Sequence, residues 1–182
     1  MLKKKFFIVF ISVLIVGILT MLVSKIVLNE LYPQKYEDLV QKYATEYGIS
    51  ENLLFAIIKT ESGFNENAKS GAGALGLTQI TEDTFNWLLT KTGEEYDFED
   101  LKNPEISIKY GAIFISMLID EFENTDTAIA AYHAGRGQVN AWLQDPSVSS
   151  NGKTLDDIPI AATAHYVYKV NRAINIYENL YN

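Results

Sequence analysis

Residues 6–23, FFIVFISVLIVGILTMLV, carry no charge, and an uncharged run of this length splits the chain into a part that belongs in lipid and a part that belongs in water. Helical residues rise about 1.5 Å each, so the run reaches about 27 Å, close to the thickness of a hydrocarbon core. Lys3, Lys4 and Lys5 precede it, and basic residues are retained on the cytoplasmic side. The expected order is therefore a cytoplasmic N-terminus (1–5), a transmembrane anchor (6–23), a linker (24–35) and an extracytoplasmic domain facing the cell exterior (36–182). A cleaved signal peptide is the competing reading, but Leu22-Val23-Ser24 and Lys25-Ile26-Val27 offer no good small-x-small site. A twelve-residue linker would extend at most ~40 Å. The chain has no cysteine, which leaves neither a disulfide nor a lipidated start.

The net charge of −8 hides an asymmetry, because from Tyr32 onward 22 acidic residues face 11 basic ones. Nucleic acid and anionic lipid surfaces both reward clustered Lys and Arg, so neither is an expected partner of the domain. A neutral polymer held by hydrogen bonds and stacking fits better.

The domain reads as helices. Leu39, Val40, Tyr43 and Tyr47 recur at helical spacing before Gly48, and Ser50 is placed to cap a helix ending near Glu61. Thr81 or Asp83 starts another. Asn103-Pro104 opens a helix carrying Tyr110, Ile113, Phe114, Met117 and Leu118 on one face. Shorter helices are expected over 126–134 and 139–143, and a last one over 159–180 with Tyr166, Val170, Ala173, Ile174, Tyr177 and Tyr181 aligned. No alternating run suggests a strand. The fold class is mainly α.

Glu61 stands out. Leu53 and Ile57 are four apart, and the next step of four is Glu61, so the acid lies on the stripe that its helix buries. Burial and the helix C-terminus both raise a carboxyl pKa, and a protonated carboxyl near neutral pH can serve as a general acid. By helix phase alone, an outward turn at a frayed end is the favoured reading, since chain ends often break the stripe. Gly71-Ala-Gly73-Ala-Leu-Gly76 matches G-x-G-x-x-G, but it follows a helix and a loop, with no βαβ alternation, so a dinucleotide site is rejected. The glycines instead suit close approach of backbone to a ligand or to another segment.

Glu61-Ser62-Gly63-Phe64-Asn65, Ala68-x-Ser70 and Gly71-Ala-Gly73-Ala-Leu-Gly76-Leu-Thr-Gln79 together resemble the opening of the soluble-lytic-transglycosylase (SLT) catalytic domain, a lysozyme-like, goose-type family of peptidoglycan lyases. Ala131-Tyr132-His133-Ala134-Gly135 with Trp142, and Ile158-Pro159-Ile160 with Thr163, Tyr166 and Val167, resemble the family's later motifs in the same order. The resemblance spans roughly residues 40–180.

It implies a lysozyme-like domain that binds peptidoglycan glycan strands and cleaves the MurNAc-β-1,4-GlcNAc bond, with no cofactor and no metal. Glu61 takes the catalytic role, first as acid and then as base, leaving a 1,6-anhydro end. Ser70, Gln79, Tyr132, His133 and Tyr166 fall on positions that contact sugar or approach the acid, although the residues alone favour plain core positions for Tyr132 and Tyr166. Trp142 is either a packing residue or a stacking platform. Three residues depart from the family pattern: Thr78 replaces a methionine, His133 an asparagine and Ala162 an acid. His133 is the departure placed to act on the Glu61 proton. A muramidase using water on the same bond, with Glu66, Glu82 or Asp83 as base, and a non-catalytic glycan-binding module remain rivals.

Overall fold

The computed structural model describes residues Leu2–Tyr181, without the side chains of residues 2–6, 8 and 9. The charges of Lys3, Lys4 and Lys5, on which the expected topology rests, thus lie outside the described residues. Eight α-helices follow one another: α1 (Leu2–Leu31), α2 (Glu37–Glu46), α3 (Glu51–Glu61), α4 (Glu82–Thr92), α5 (Pro104–Phe122), α6 (Thr125–Ala134), α7 (Arg136–Leu143) and α8 (Ala161–Tyr181), with a 3-10 turn at Phe98–Lys102 before α5. No strand forms among the described residues. Only isolated bridges pair Lys69 with Leu75 and Leu75 with Ile80.

The unbroken apolar run Leu53–Ile58 explains the centre of the domain. All six residues are buried, so α3 is enclosed on every side rather than along one stripe. Helix α8 lies along it through Tyr166, Val170, Ala173 and Tyr177, all buried, and Phe55 stacks on Tyr177 with ring centroids 5.3 Å apart. Helix α5 forms a second central rod. Ala128, Ala130 and Ala131 of α6 are fully buried, their small side chains letting α6 fit between α5 and α8.

Helix starts follow the polar residues in part. Thr81, Asn103 and Asn124 accept hydrogen bonds from the amides of Thr84, Glu105 and Thr127, satisfying otherwise orphaned donors. Ser50 occupies the cap position of α3 but makes no side-chain cap bond. Helix α7 begins at Arg136, three residues before the expected start.

The connection to the domain differs from a free linker. Helix α1 continues through Leu31, and the chain after it is fastened down. Tyr177 donates to the Pro33 carbonyl (3.2 Å) and Tyr181 to that of Tyr32 (2.9 Å). The Tyr32 ring meets Tyr177 edge-on. The ~40 Å reach of an extended linker is therefore not available in this conformation.

Between α3 and α4 the loop folds back on itself under tight steric control. Gly76 has φ +80°, and a Cβ there would lie 2.1 Å from the Leu101 carbonyl oxygen. Gly73 has φ +83° but open space around it. Gly73→Ala should therefore cost about 1–2 kcal/mol through its left-handed backbone alone, and Gly76→Ala about 1–3 kcal/mol more through overpacking. Urea denaturation of the full chain in detergent checks this; equal costs would show that Leu101 yields freely.

Candidate active site

Glu61 is the last residue of α3, half-buried where that helix meets α8. The Tyr166 hydroxyl donates to its Oε1 at 2.6 Å. Burial raises the Glu61 pKa to about 7, against the lowering effects of the Tyr166 hydrogen bond and the Lys169 charge. Desolvation wins because one hydrogen bond and one exposed ammonium replace only part of the water that an anion would need. The Tyr166 and Tyr132 hydroxyls are themselves pushed well above their ordinary range, first by burial and then by the Glu61 charge. Both therefore remain donors throughout the neutral range.

Tyr132 reaches the site through a different bond. Its hydroxyl donates to the Thr78 carbonyl at 2.8 Å, and its ring lies 4.9 Å from that of Phe114. It does not hydrogen-bond Glu61. His133 does not do so either: its ring packs on Tyr166 at 4.5 Å, and its Nδ1 lies 3.1 Å from the Thr163 hydroxyl. Burial, and then Lys169, push the imidazole below its ordinary pKa. His133 is thus placed to support Tyr166 rather than to take up the acid's proton directly.

Ser70 and Gln79 lie in the loop and brace it. Ser70 Oγ accepts from the Ala74 amide (3.0 Å). The Gln79 side-chain amide donates to the carbonyls of Ala68 (3.0 Å) and Gly76 (2.8 Å), with Gln79 itself at φ +50°. Both remain half-exposed. The loop is tied to the acid's helix by Ser62, whose hydroxyl donates to the Leu77 carbonyl at 2.8 Å. In the sequence Ser62 stands out only as a member of the opening motif, directly after Glu61.

Thr78 is fully buried and turned toward α5. Its hydroxyl donates to the Ser107 carbonyl at 2.8 Å, and its amide donates to Ser107 Oγ. Gly111 makes room, since a Cβ there would fall 2.4 Å from the Thr78 methyl. The departure at 78 thus exchanges a long apolar side chain for a hydrogen-bonded knot, and the same residue's carbonyl holds Tyr132. Ser107, a polar residue on an apolar helical face, was the available signal. Ala162 is exposed in the first turn of α8, which carries no acid. Trp142 is buried in the core, so of its two readings the structure supports packing.

No other carboxylate acts on Glu61 among the charges that shift it. Glu66 is held by the Tyr36 hydroxyl at 3.0 Å, and Glu82 and Asp83 are exposed in the first turn of α4. No group of His, Asp or Glu with metal-binding geometry occurs among the described residues. The arrangement can hold and release one proton near neutral pH, beside two tyrosine donors and a rigid polar loop.

The chain is similar to known proteins in sequence and in fold. Residues 38–153 match the family described as the transglycosylase SLT domain. The soluble lytic murein transglycosylase of Salmonella typhimurium is 32% identical over 151 residues, covering 79% of this chain and 23% of the relative. Membrane-bound lytic murein transglycosylase C of Serratia proteamaculans is 30% identical over 168 residues, 79% of this chain and 46% of the relative. Among solved structures, the 70-kDa soluble lytic transglycosylase of Escherichia coli superposes with a TM-score of 0.75 at 29% identity, covering 84% of this chain and 25% of that one. A complex of the 70-kDa soluble lytic transglycosylase with bulgecin A gives 0.76, with the same coverage of both chains. The chain thus spans about a quarter to a half of the length of the relatives it matches. It belongs to the transglycosylase SLT-domain family.

Proposed function

We propose that the chain is a membrane-associated lytic transglycosylase that cleaves the MurNAc-β-1,4-GlcNAc bond of peptidoglycan and closes a 1,6-anhydro ring on the muramyl residue. The observation that carries this reading is Glu61: a carboxyl at the end of a buried helix, raised to about 7, with no second carboxylate coupled to it. Most glycosidases divide the work between two carboxylates, and a single-acid scheme needs help from the substrate.

Protonated Glu61 gives its proton to the glycosidic oxygen as the bond to muramyl C1 breaks. The resulting carboxylate then takes the proton of the muramyl C6 hydroxyl while that oxygen bonds to C1. Glu61 is protonated again at the end, and water is not consumed. Tyr166 holds Oε1 and stabilises the carboxylate between the two steps. Tyr132 and the loop carrying Ser70 and Gln79 are assigned to the sugar; Gln79 Oε1 remains an acceptor, since only the amide nitrogen is engaged.

The relatives named membrane-bound and the apolar helix Phe10–Leu31 support an association with the membrane through α1. We assign residues 1–5 to the cytoplasmic side, 6–23 to the bilayer and 36–182 to the side facing the cell wall, with 24–35 joining them.

Mass spectrometry of muropeptides released from purified peptidoglycan by the full chain in detergent should show ends one water lighter than ordinary reducing ends, and none with Glu61→Gln. Reducing-end products would make the enzyme a muramidase. No cleavage by the folded chain would favour a binding module.

Two pH effects follow. Cleavage should fall as pH rises through about 7, where the acid loses its proton. Tyr166→Phe removes a bond that lowers the Glu61 pKa, so its falling limb should move to higher pH; a shift to lower pH would contradict the assigned contact. Stability has its own sign. A carboxyl raised from 4.5 to about 7 stabilises the fold fully below pH 4.5, and this contribution is lost as pH rises through about 7. Glu61→Gln should therefore match the parent near pH 4 and exceed it near pH 8, by at most roughly 3.5 kcal/mol. Denaturant midpoints at the two pH values check this.

A further inference from the structure

The acidic balance of the domain argues against an anionic partner, yet folding gathers cations that are scattered in the sequence. Lys59 at the end of α3 and Lys169 and Arg172 on α8 line one pocket of about 260 Å³ together with Tyr32. The Lys59 ammonium lies 5.5 Å from the Tyr32 ring centre. Arg172 also lines a second, larger cleft of about 750 Å³ between α1 and α8, where Lys25 joins it. None of these four cations belongs to an ion pair among the described residues, where the paired cations are Lys42, Lys102, Lys109 and Arg136. Lys169 also acts on Glu61, yet positive charge from three helices without a direct ion pair is unusual in a domain with twice as many acids as bases.

The larger cleft joins this charge to apolar surface. Met21 and Leu28 of α1 face Ile176 and Leu180 of α8 across it. Its position is defined along the chain: the uncharged run ends at residue 23, Lys25 follows within one turn, and Tyr32 is the first residue beyond α1. An apolar groove with cations set along it, at the level where an inserted helix would leave the hydrocarbon, matches a lipid with an anionic headgroup in both parts of its chemistry.

We propose that Lys25 and Arg172 bind the phosphate of an anionic phospholipid whose acyl chains lie in the groove between α1 and α8, with Lys59 and Lys169 adding positive charge beside Arg172 in the adjoining pocket. The proposal rests on the membrane-anchor reading of α1. It makes the lipid a wedge between anchor and domain, which would fix the orientation of the domain on the bilayer beyond what the Tyr177 and Tyr181 hydrogen bonds do. Carboxylates of the wall's peptides are the other anions within reach, but they account for the cations alone and leave the apolar groove unexplained.

Native mass spectrometry of the full chain in detergent, with dioleoyl phosphatidylglycerol or dioleoyl phosphatidylcholine as probe, tests it. Phosphatidylglycerol should bind at least about tenfold more tightly. Arg172→Gln and Lys25→Gln should each reduce that preference several-fold, Arg172→Lys should restore most of it, and Lys153→Gln, outside the cluster, should leave it unchanged. Helicity and melting of each variant, measured alongside, exclude a misfolded chain as the cause. Equal binding of the two lipids overturns the proposal, as does displacement of phosphatidylglycerol by a soluble disaccharide-tripeptide. Carbonate extraction from vesicles separates the two readings: a resistant chain without lipid preference refutes the headgroup site and keeps the anchor, whereas release refutes the anchor and the site with it.

Discussion

The short hydrogen bond from Tyr166 to Glu61, 2.6 Å across 105 residues of sequence, holds the two halves of the domain to one chemical purpose. It requires α3 to be buried on every side, since an acid at the end of an exposed helix would be fully solvated and ordinary. It requires α8 to lie along α3 in one register, because a shift of one residue would turn Tyr166 away by about 100° of helix. Phe55 against Tyr177 and the close fit at Ala173 fix that register. Packing energy and proton chemistry therefore depend on the same interface.

The loop between α3 and α4 is the second element that the site needs, and Thr78 is its node. Its hydroxyl and amide bond to Ser107, its carbonyl receives Tyr132, and its methyl fills the space left by Gly111. Ser62 fastens the neighbouring Leu77 carbonyl to the acid's own helix. Disturbing this knot would affect both the sugar-facing loop and the position of Tyr132. Yet none of these residues has to touch a substrate. They are positioning residues, and they separate the rigid floor of the site from the half-exposed Ser70 and Gln79 above it.

Much of this was legible in the sequence. Helical spacing put Glu61 in line with a buried stripe, and Tyr166 on the aligned face of the last helix, but phase alone favoured an outward turn of the acid, and only the resemblance tipped the reading toward catalysis. Glycine spacing marked the loop as a place of close approach, and Gly76 against Leu101 is such an approach. What escaped was pairing over long distances. Nothing local distinguishes His133 as a neighbour of Tyr166 rather than of the acid, or joins Ser107 to Thr78, because both contacts arise from helix packing. Ser50 shows a related limit: a residue suited to capping makes no cap bond. The cationic pocket was invisible for a simpler reason. Lys59, Lys169 and Arg172 are far apart in the chain, and a summed charge averages them away against the acids. The junction with α1 differed because periodicity and charge say where an apolar run ends, not whether its helix does. Tyr32 and Pro33 are tied to α8 by hydroxyls that the sequence offers to many partners.

The central claim is that burial, rather than a second carboxylate, keeps Glu61 protonated near neutral pH. The most direct measurement is a carbon-13 NMR titration of the Glu61 side-chain carboxyl in the full chain, assigned by its absence in Glu61→Gln. A midpoint near 7 is the predicted result. A midpoint near 4.5, the ordinary value for a solvated glutamate, would contradict the account, because the acid would then be ionised where it is required to give up a proton.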